Sequence, residues 1–504
     1  MKVVVAFLLA ALCSASLMEA KATEIDASDP RIQLIGRWDR SKSSQPWCAW
    51  QGSAIRVRMR GGGVMRVEVE TTQTDYVRVV VDGESTKSEK FKISPGRRSY
   101  ALTQELVESV SHDIEIVKET YSGEGRLTLH GISVDGDLVD VAKLPKMRIE
   151  FFGDSNLAGQ SLESEKDKHG IEYMGCHFTF AGIAARMLDA DYQNISVSGA
   201  TIGGQLNSVM SFYDRLDFYH AEPKFDFEEF HADVCVINIG ANDIGRKRKQ
   251  QIKADYKTLI AAIRKVRPNA HLVLMNAYGW DRNEPANYTD EIIREINDAK
   301  LSQLLFPWLF NEWHGCEYDH AGMAARLVEH IVSLNPKWKS VNRNDVMDGF
   351  GRRGNVANGG FEQVAPFGGY GWRYFEDGAL RIEDPSKAAE GNFFVRLPAG
   401  AGLHQPVPTS KGKRHKMSFK ARGDAGCRAM VQVEFRDQAY RNEIEDSAVE
   451  FSVTPKTEWS KFDFEFISPD DGDADRSRQP WKAMIHLKSI AGSVDFDDVV
   501  MSTD

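Results

Sequence analysis

Arg148-Ile149-Glu150-Phe151-Phe152-Gly153-Asp154-Ser155-Asn156 alternates apolar with charged residues, turns fully apolar, and then breaks in a small polar cluster. The first half reads as a strand entering a buried sheet. The second half stops it, because glycine accepts backbone angles that other residues resist and the Asp, Ser and Asn side chains bond back to a turn. A serine here sits at the carboxyl end of a central strand, where open α/β sheets place their ligands. Two readings of Ser155 follow, a helix cap and a catalytic hydroxyl, and the nine residues alone do not separate them.

Further strands in the same stretch of chain end in the same way. Tyr192 to Val197 runs into Ser198-Gly199-Ala200-Thr201, and the apolar Val234 to Ile239 runs into Gly240-Ala241-Asn242-Asp243. Between and after them come helical patterns: Phe178 to Leu188, the series Ile252, Tyr256, Leu259, Ile260 and Ile263, and Asp290 to Ile296; His271 to Met275 adds a short strand. Repeated βα units predict a parallel sheet with helices on both faces. In such a sheet Ser155, Gly199 and Asn242 share one edge. That is the inventory of an acyl-transfer site: a serine nucleophile, with the Ser155 and Gly199 backbone N–H groups and the Asn242 amide as oxyanion donors.

A neutral serine also needs a base. The candidate is His320 in Cys316-Glu317-Tyr318-Asp319-His320-Ala321-Gly322, ahead of a helix whose buried side carries Met323, Leu327, Val328 and Ile331. Glu317 is the acid expected to orient its ring, with Asp319 as competitor. Taken alone, His320 reads sooner as a helix-cap or surface histidine than as a base, and the three strand ends turn the reading toward catalysis.

The ordered set Gly153-Asp154-Ser155, Gly199, Gly240-x-Asn242-Asp243 and a late acid-x-x-His resembles the SGNH (GDSL-like) hydrolases over residues 144–336. The resemblance implies Ser155 as nucleophile, Gly199 and Asn242 as oxyanion donors and His320 as base. It departs from the family's pattern at the histidine, where the usual His-Pro is absent, His320 precedes Ala321 and the loop into the helix looks shortened. Some members hold the histidine by a backbone carbonyl instead of a side-chain acid. Upstream, Trp50 to Val57, Tyr76 to Gly83 and His112 to Thr120 resemble the jelly-roll domain of carbohydrate esterase family 2, and Gly315-Cys316-Glu317 resembles the stretch around that family's catalytic histidine. Members of that family remove O-acetyl groups from polysaccharides such as xylan and glucomannan.

The flanks read as β structure. From about Arg31 to Asp140, alternating runs such as Ala54 to Met59 and Val64 to Val69, divided by Gly and Asp turns, predict an antiparallel sandwich. Trp38, Trp47 and Trp50 are either core or a sugar-stacking face. After an Asn-, Arg- and Gly-rich linker, Asn358-Gly359-Gly360-Phe361-Glu362 and Asp495-Phe496-Asp497-Asp498-Val499 bracket a second β region. These motifs resemble jelly-roll carbohydrate-binding modules. Trp372, Tyr374 and Trp481 are its candidate stacking residues, with core packing the alternative for each. Aspartates at sandwich ends also suit a structural calcium.

The expected fold class is therefore multidomain: a β-sandwich (jelly roll), an α/β three-layer domain with a parallel sheet, and a C-terminal β-sandwich. The expected bounds are 1–22 signal peptide, 28–142, 144–336, 337–354 linker and 355–504. Lys2, the apolar run Val3 to Leu12 and Ala20-Lys21-Ala22 form a secretory signal, too short to span a bilayer, and the large Leu12 before Cys13 argues against lipoprotein processing. A net charge of −10 argues against nucleic-acid or anionic-membrane partners. Cys48, Cys176, Cys235, Cys316 and Cys427 remain after cleavage, with Cys176–Cys316 the pair to test for a bridge and buried free thiols the alternative.

The expected activity is that of an exported serine esterase, secreted or periplasmic, deacetylating an acetylated polysaccharide or oligosaccharide, with no metal or organic cofactor. The alternatives are a short-chain lipase or thioesterase on the same fold, and a non-catalytic carbohydrate-binding protein.

Overall fold

The computed structural model describes residues 22–107, 110–121, 125–164, 166–204, 207–278, 288–307, 314–341, 355–365, 368–369, 371–373, 375–436, 444, 446–470 and 482–504. The expected signal peptide but for its last residue, most of the expected linker, Tyr374 and Trp481 lie outside them.

The central sheet has five parallel strands, here numbered within this domain: β1 (Met147–Gly153), β2 (Ala190–Ser196), β3 (Val234–Asn238), β4 (His271–Tyr278) and β5 (Leu301–Pro307), in the order β2-β1-β3-β4-β5. Five of the described helices matter here: α1 (Ser155–Ala158), α2 (Phe180–Leu188), α3 (Lys249–Val266), α4 (Thr289–Ile296) and α5 (Glu317–Leu334). Burial on both faces explains the continuous apolar runs. Ile149, Phe151, Val234 and Val236 pack with α2 and α5, whereas Phe152, Cys235 and Ile237 pack with α3 and α4. In α3 the buried residues Ile252, Tyr256, Leu259, Ile260 and Ile263 form the stripe that the sequence spacing predicts.

The order of strands reverses direction after β2-β1, so the gap between β1 and β3 at their carboxyl ends is a topological switch point. Gly153 pairs with Ser196 on one side and Asn238 on the other. A side chain at Gly153 would start 2.4 Å from the Asn238 carbonyl oxygen, so only glycine lets β1 and β3 close at this level.

Two six-stranded antiparallel sheets precede this domain, built around Leu127–Val134 in one and Ala54–Arg60 with Ser111–Lys118 in the other. Their inward faces form one core that includes Trp38, Ile55, Val57, Val67 and Leu129. This sandwich is locked to the central sheet through Arg37, whose buried guanidinium donates to Glu150 on β1 at 2.7 Å and to Gln193 on β2 at 2.8 Å. Arg267 donates to the same Glu150 carboxylate at 2.7 Å. Trp38 and Trp50 are core residues, with indole N–H groups given to the Ile35 and Arg215 carbonyls; Trp47 is partly buried beneath the Arg126 guanidinium.

A five-stranded and a four-stranded antiparallel sheet form the C-terminal sandwich. Trp372 corrects one expectation. It is 2 % exposed, donates to the Asn358 carbonyl and packs on Phe361, so the indole is part of the core and has no face to offer a sugar. Asp497 accepts backbone N–H groups from Ala389 and Glu390. The five described cysteines are buried free thiols, Cys176 and Cys316 among them. No described helix is long and apolar enough to cross a membrane.

Candidate active site

Ser155 opens α1 immediately after β1. Asp154 caps that turn, its carboxylate accepting the Asn156 N–H at 3.2 Å. The Asp154 carboxyl is fully enclosed, and burial pushes it up to about 7, with Asp243 adding like-charge repulsion. Ser155 is 7 % exposed, and its Oγ lies 2.9 Å from Nε2 of His314. Nδ1 of the same ring lies 2.7 Å from the Asp167 carboxylate. With the ring proton on Nδ1 and given to Asp167, Nε2 is left with a lone pair aimed at the serine hydroxyl. Hydroxyl, imidazole and carboxylate thus form one relay of the serine-hydrolase type.

Burial works against the Asp167 carboxylate, but the effects led by the His314 hydrogen bond outweigh it and hold the group below the usual carboxylate range. Asp167 adopts a left-handed backbone, φ 51°, which aspartate tolerates better than most residues. Its loop is pinned by Glu163, which pairs with Arg78 and Lys90 of the N-terminal sandwich. Asp167, His169 and His314 bring one ligand atom each within 4.8 Å, a set able to hold a divalent transition metal. In the arrangement found, the Nδ1 of His314 is already engaged by Asp167.

The geometry corrects the expected base and acid. His320 lies inside the first turns of α5, 1 % exposed, stacked on Phe180 and accepting the Phe180 N–H at Nδ1. Burial, with a smaller contribution from His314, lowers its pKa to about 3, so this ring stays neutral within the core. Glu317 is buried in the first turn of α5, and the carboxylate facing the Ser155-bound imidazole is Asp167. Asp319 instead caps α5 by accepting the Cys316 N–H at 3.0 Å.

Gly199 follows β2 with φ 75°, a left-handed conformation suited to glycine. Asn242 follows β3 and gives one amide hydrogen to the Ala200 carbonyl at 2.9 Å, which ties the β2 and β3 turns together. Asp243 steadies the same turns by accepting the Ile202 N–H and pairing with Lys247.

Two family descriptions match the chain: "GDSL-like Lipase/Acylhydrolase family" over residues 151–302 and "Carbohydrate esterase 2 N-terminal" over residues 34–141. The chain joins a GDSL-like hydrolase domain to a family 2 carbohydrate esterase N-terminal domain. It is similar to the cellulase/esterase CelE of Acetivibrio thermocellus, 26 % identical over 61 % of this chain and 40 % of that protein. It is also similar to an acetylxylan esterase / glucomannan deacetylase of Cellvibrio japonicus, 22 % identical over 65 % of this chain and 95 % of that one. The chain therefore spans less than half of the first relative and nearly all of the second. Among solved structures, a family two carbohydrate esterase from Clostridium thermocellum in complex with cellohexaose superposes with a TM-score of 0.55 at 24 % identity, covering 60 % of this chain and 98 % of that one. This last likeness speaks to the fold. The C-terminal sandwich lies beyond both matched segments.

Within the hydrolase domain, His314 and Asp167 are the residues that sequence reasoning missed. A signal for His314 was present: His320 stands on the same helical face as Ala324, Leu327 and Ile331, which the 3.6-residue period turns inward, whereas His314-Gly315 precedes the helix. Asp167, in the charged run Lys166-Asp167-Lys168-His169, carries no comparable mark.

Proposed function

We propose that this protein is a secreted esterase that removes O-acetyl groups from a polysaccharide or its oligomers through an acyl-enzyme on Ser155. One observation carries the reading: the Ser155–His314–Asp167 relay, at 2.9 and 2.7 Å, at the switch point of a hydrolase domain. His314 takes the Ser155 proton at Nε2 as Oγ attacks the acetyl carbonyl. The imidazolium that forms is stabilised by Asp167. The N–H groups of Ser155 and Gly199, with the Asn242 amide hydrogen not given to Ala200, hold the tetrahedral oxyanion. His314 then gives the proton to the departing sugar oxygen, which leaves as a hydroxyl, and water deprotonated by the same ring attacks the acyl carbonyl, freeing Ser155 Oγ and acetate.

The substrate class is supported by the family 2 N-terminal domain and by the relative whose name is acetylxylan esterase / glucomannan deacetylase. The signal-like N-terminus supports export. The test is Ser155→Ala, followed by acetate release from acetylated xylan and glucomannan and hydrolysis of a chromogenic acetate ester. Loss of all three activities is expected, and undiminished rates would refute the reading. Comparing acetyl with octanoyl esters separates this activity from that of a lipase.

A further inference from the structure

We propose that the C-terminal sandwich completes the catalytic apparatus: Gly371, Arg373 and Asp377 strap the described residues that flank His314 and Asp167, with Arg373 as a positioning residue. The inference rests on His314 and Asp167 acting as base and orienting acid.

Three contacts converge. Arg373, 2 % exposed, donates from its guanidinium to the buried Asp319 carboxylate. The same carboxylate oxygen of Asp319 accepts the Cys316 N–H at 3.0 Å, and only Gly315 separates Cys316 from His314. Arg373 thus bears on the backbone that sets where the imidazole stands. At the other end of the strap, Asp377 pairs with Lys166, the neighbour of Asp167. Between the two domains, Gly371 passes so close to α5 that a side chain there would begin 3.4 Å from the Tyr318 ring, in a backbone of φ 91°.

The strap is itself anchored. Arg373 exchanges backbone hydrogen bonds with His404 of the sandwich, at 3.0 and 3.4 Å. The neighbouring Gln405 side chain holds both the N–H and the carbonyl of Ala357, which packs into the hydrolase core. A tethered sugar-binding module would need none of this. Relays of this kind lose rate steeply when a reacting group is misplaced by about 1 Å, so a loop anchor acts on turnover more than on ester binding.

The experiment uses the full chain with a soluble chromogenic acetate ester. Arg373→Met is expected to lower kcat about ten-fold or more with KM within two-fold, and to displace the acidic limb of the kcat/KM profile. Arg373→Lys, which keeps the charge without the planar fork, is expected to recover part of the rate. Asp377→Asn, at an exposed position where folding is insensitive, is expected to lower kcat two- to three-fold at unchanged KM, and it decides the matter should Arg373→Met fail to fold. Wild-type kcat and pH profile in Asp377→Asn, together with the same result in any folded Arg373→Met, would overturn the proposal, as would a loss confined to KM. Full activity in Ser155→Ala would remove the reading of the site and this inference with it, whereas a dead Ser155→Ala beside fully active strap variants would overturn the inference alone.

Discussion

His314 and Asp167 meet at 2.7 Å although they stand 147 positions apart in sequence. The carboxylate comes from the loop after α1 and the imidazole from just before α5, so neither depends on the other's local structure. His314→Ala is expected to reduce kcat on an acetate ester by about three orders of magnitude or more, and Asp167→Asn by about two to four. His320→Ala should behave otherwise. It empties a core position, lowering stability by about 2–4 kcal/mol while the folded molecules keep their turnover within a few-fold. Initial rates, set beside a denaturation curve for each variant, check the contrast.

Asn242 has an amide hydrogen free of Ala200 at the carboxyl end of β3. Asn242→Ala is expected to cost about two to three orders of magnitude in kcat with little change in KM, the signature of a donor that matters chiefly in the transition state. Steady-state kinetics on an acetate ester give the answer, with a proportionate rise in KM counting against an oxyanion role.

Asp154 gives a prediction for pH. Its folded-state pKa is raised to about 7 by burial, so the folded chain holds this proton more tightly than the unfolded chain does. Stability from this group is therefore greatest below about pH 4, declines as pH rises through about 7, and is level beyond. Asp154→Asn keeps an oxygen for the Asn156 N–H and removes the titration. The variant is expected to gain stability relative to the wild type between about pH 4 and 7, by at most about 4 kcal/mol. Urea midpoints across that range measure it; a difference independent of pH would count against the assignment.

Glu150 sits between the buried guanidinium groups of Arg37 and Arg267. Glu150→Gln leaves two enclosed cations facing a neutral amide and is expected to cost about 3–5 kcal/mol. Because Arg37 belongs to the sandwich and Glu150 to β1, the loss should be felt by both domains. Tryptophan fluorescence and far-ultraviolet dichroism followed in one denaturant titration will show whether their midpoints fall together.

Much of the architecture could be read directly. The alternation at Ala54 to Met59, the apolar block Val234 to Ile239 and the stripe Ile252 to Ile263 each carry their own periodicity, and each lies in the element that period predicts. Ser155 was legible for a similar reason, since a strand must stop somewhere and Gly-Asp-Ser-Asn marks where. The base was harder. His320 belongs to a conspicuous acid-x-x-His, yet the helix starts at Glu317 and turns that ring inward, while His314 follows directly on residues 311–313, which lie outside the described ones. Asp167 could not be seen at all, because no local pattern sets one acid in a charged loop apart from its neighbours. The indole of Trp372 shows the reverse limit, for aromatic content says nothing about which side of a sheet a ring will occupy.

The five described cysteines, all unbridged, have a consequence for handling the protein. Burial pushes the Cys48 thiol up to about 12 and the other four upward as well, so the folded molecule presents almost no thiolate to an oxidant. The vulnerable species is the chain before it closes, when the same sulfur atoms are open to scrambled cross-links. Recovery from denaturant should then depend on reductant during refolding and hardly at all afterwards, a kinetic window rather than a standing weakness.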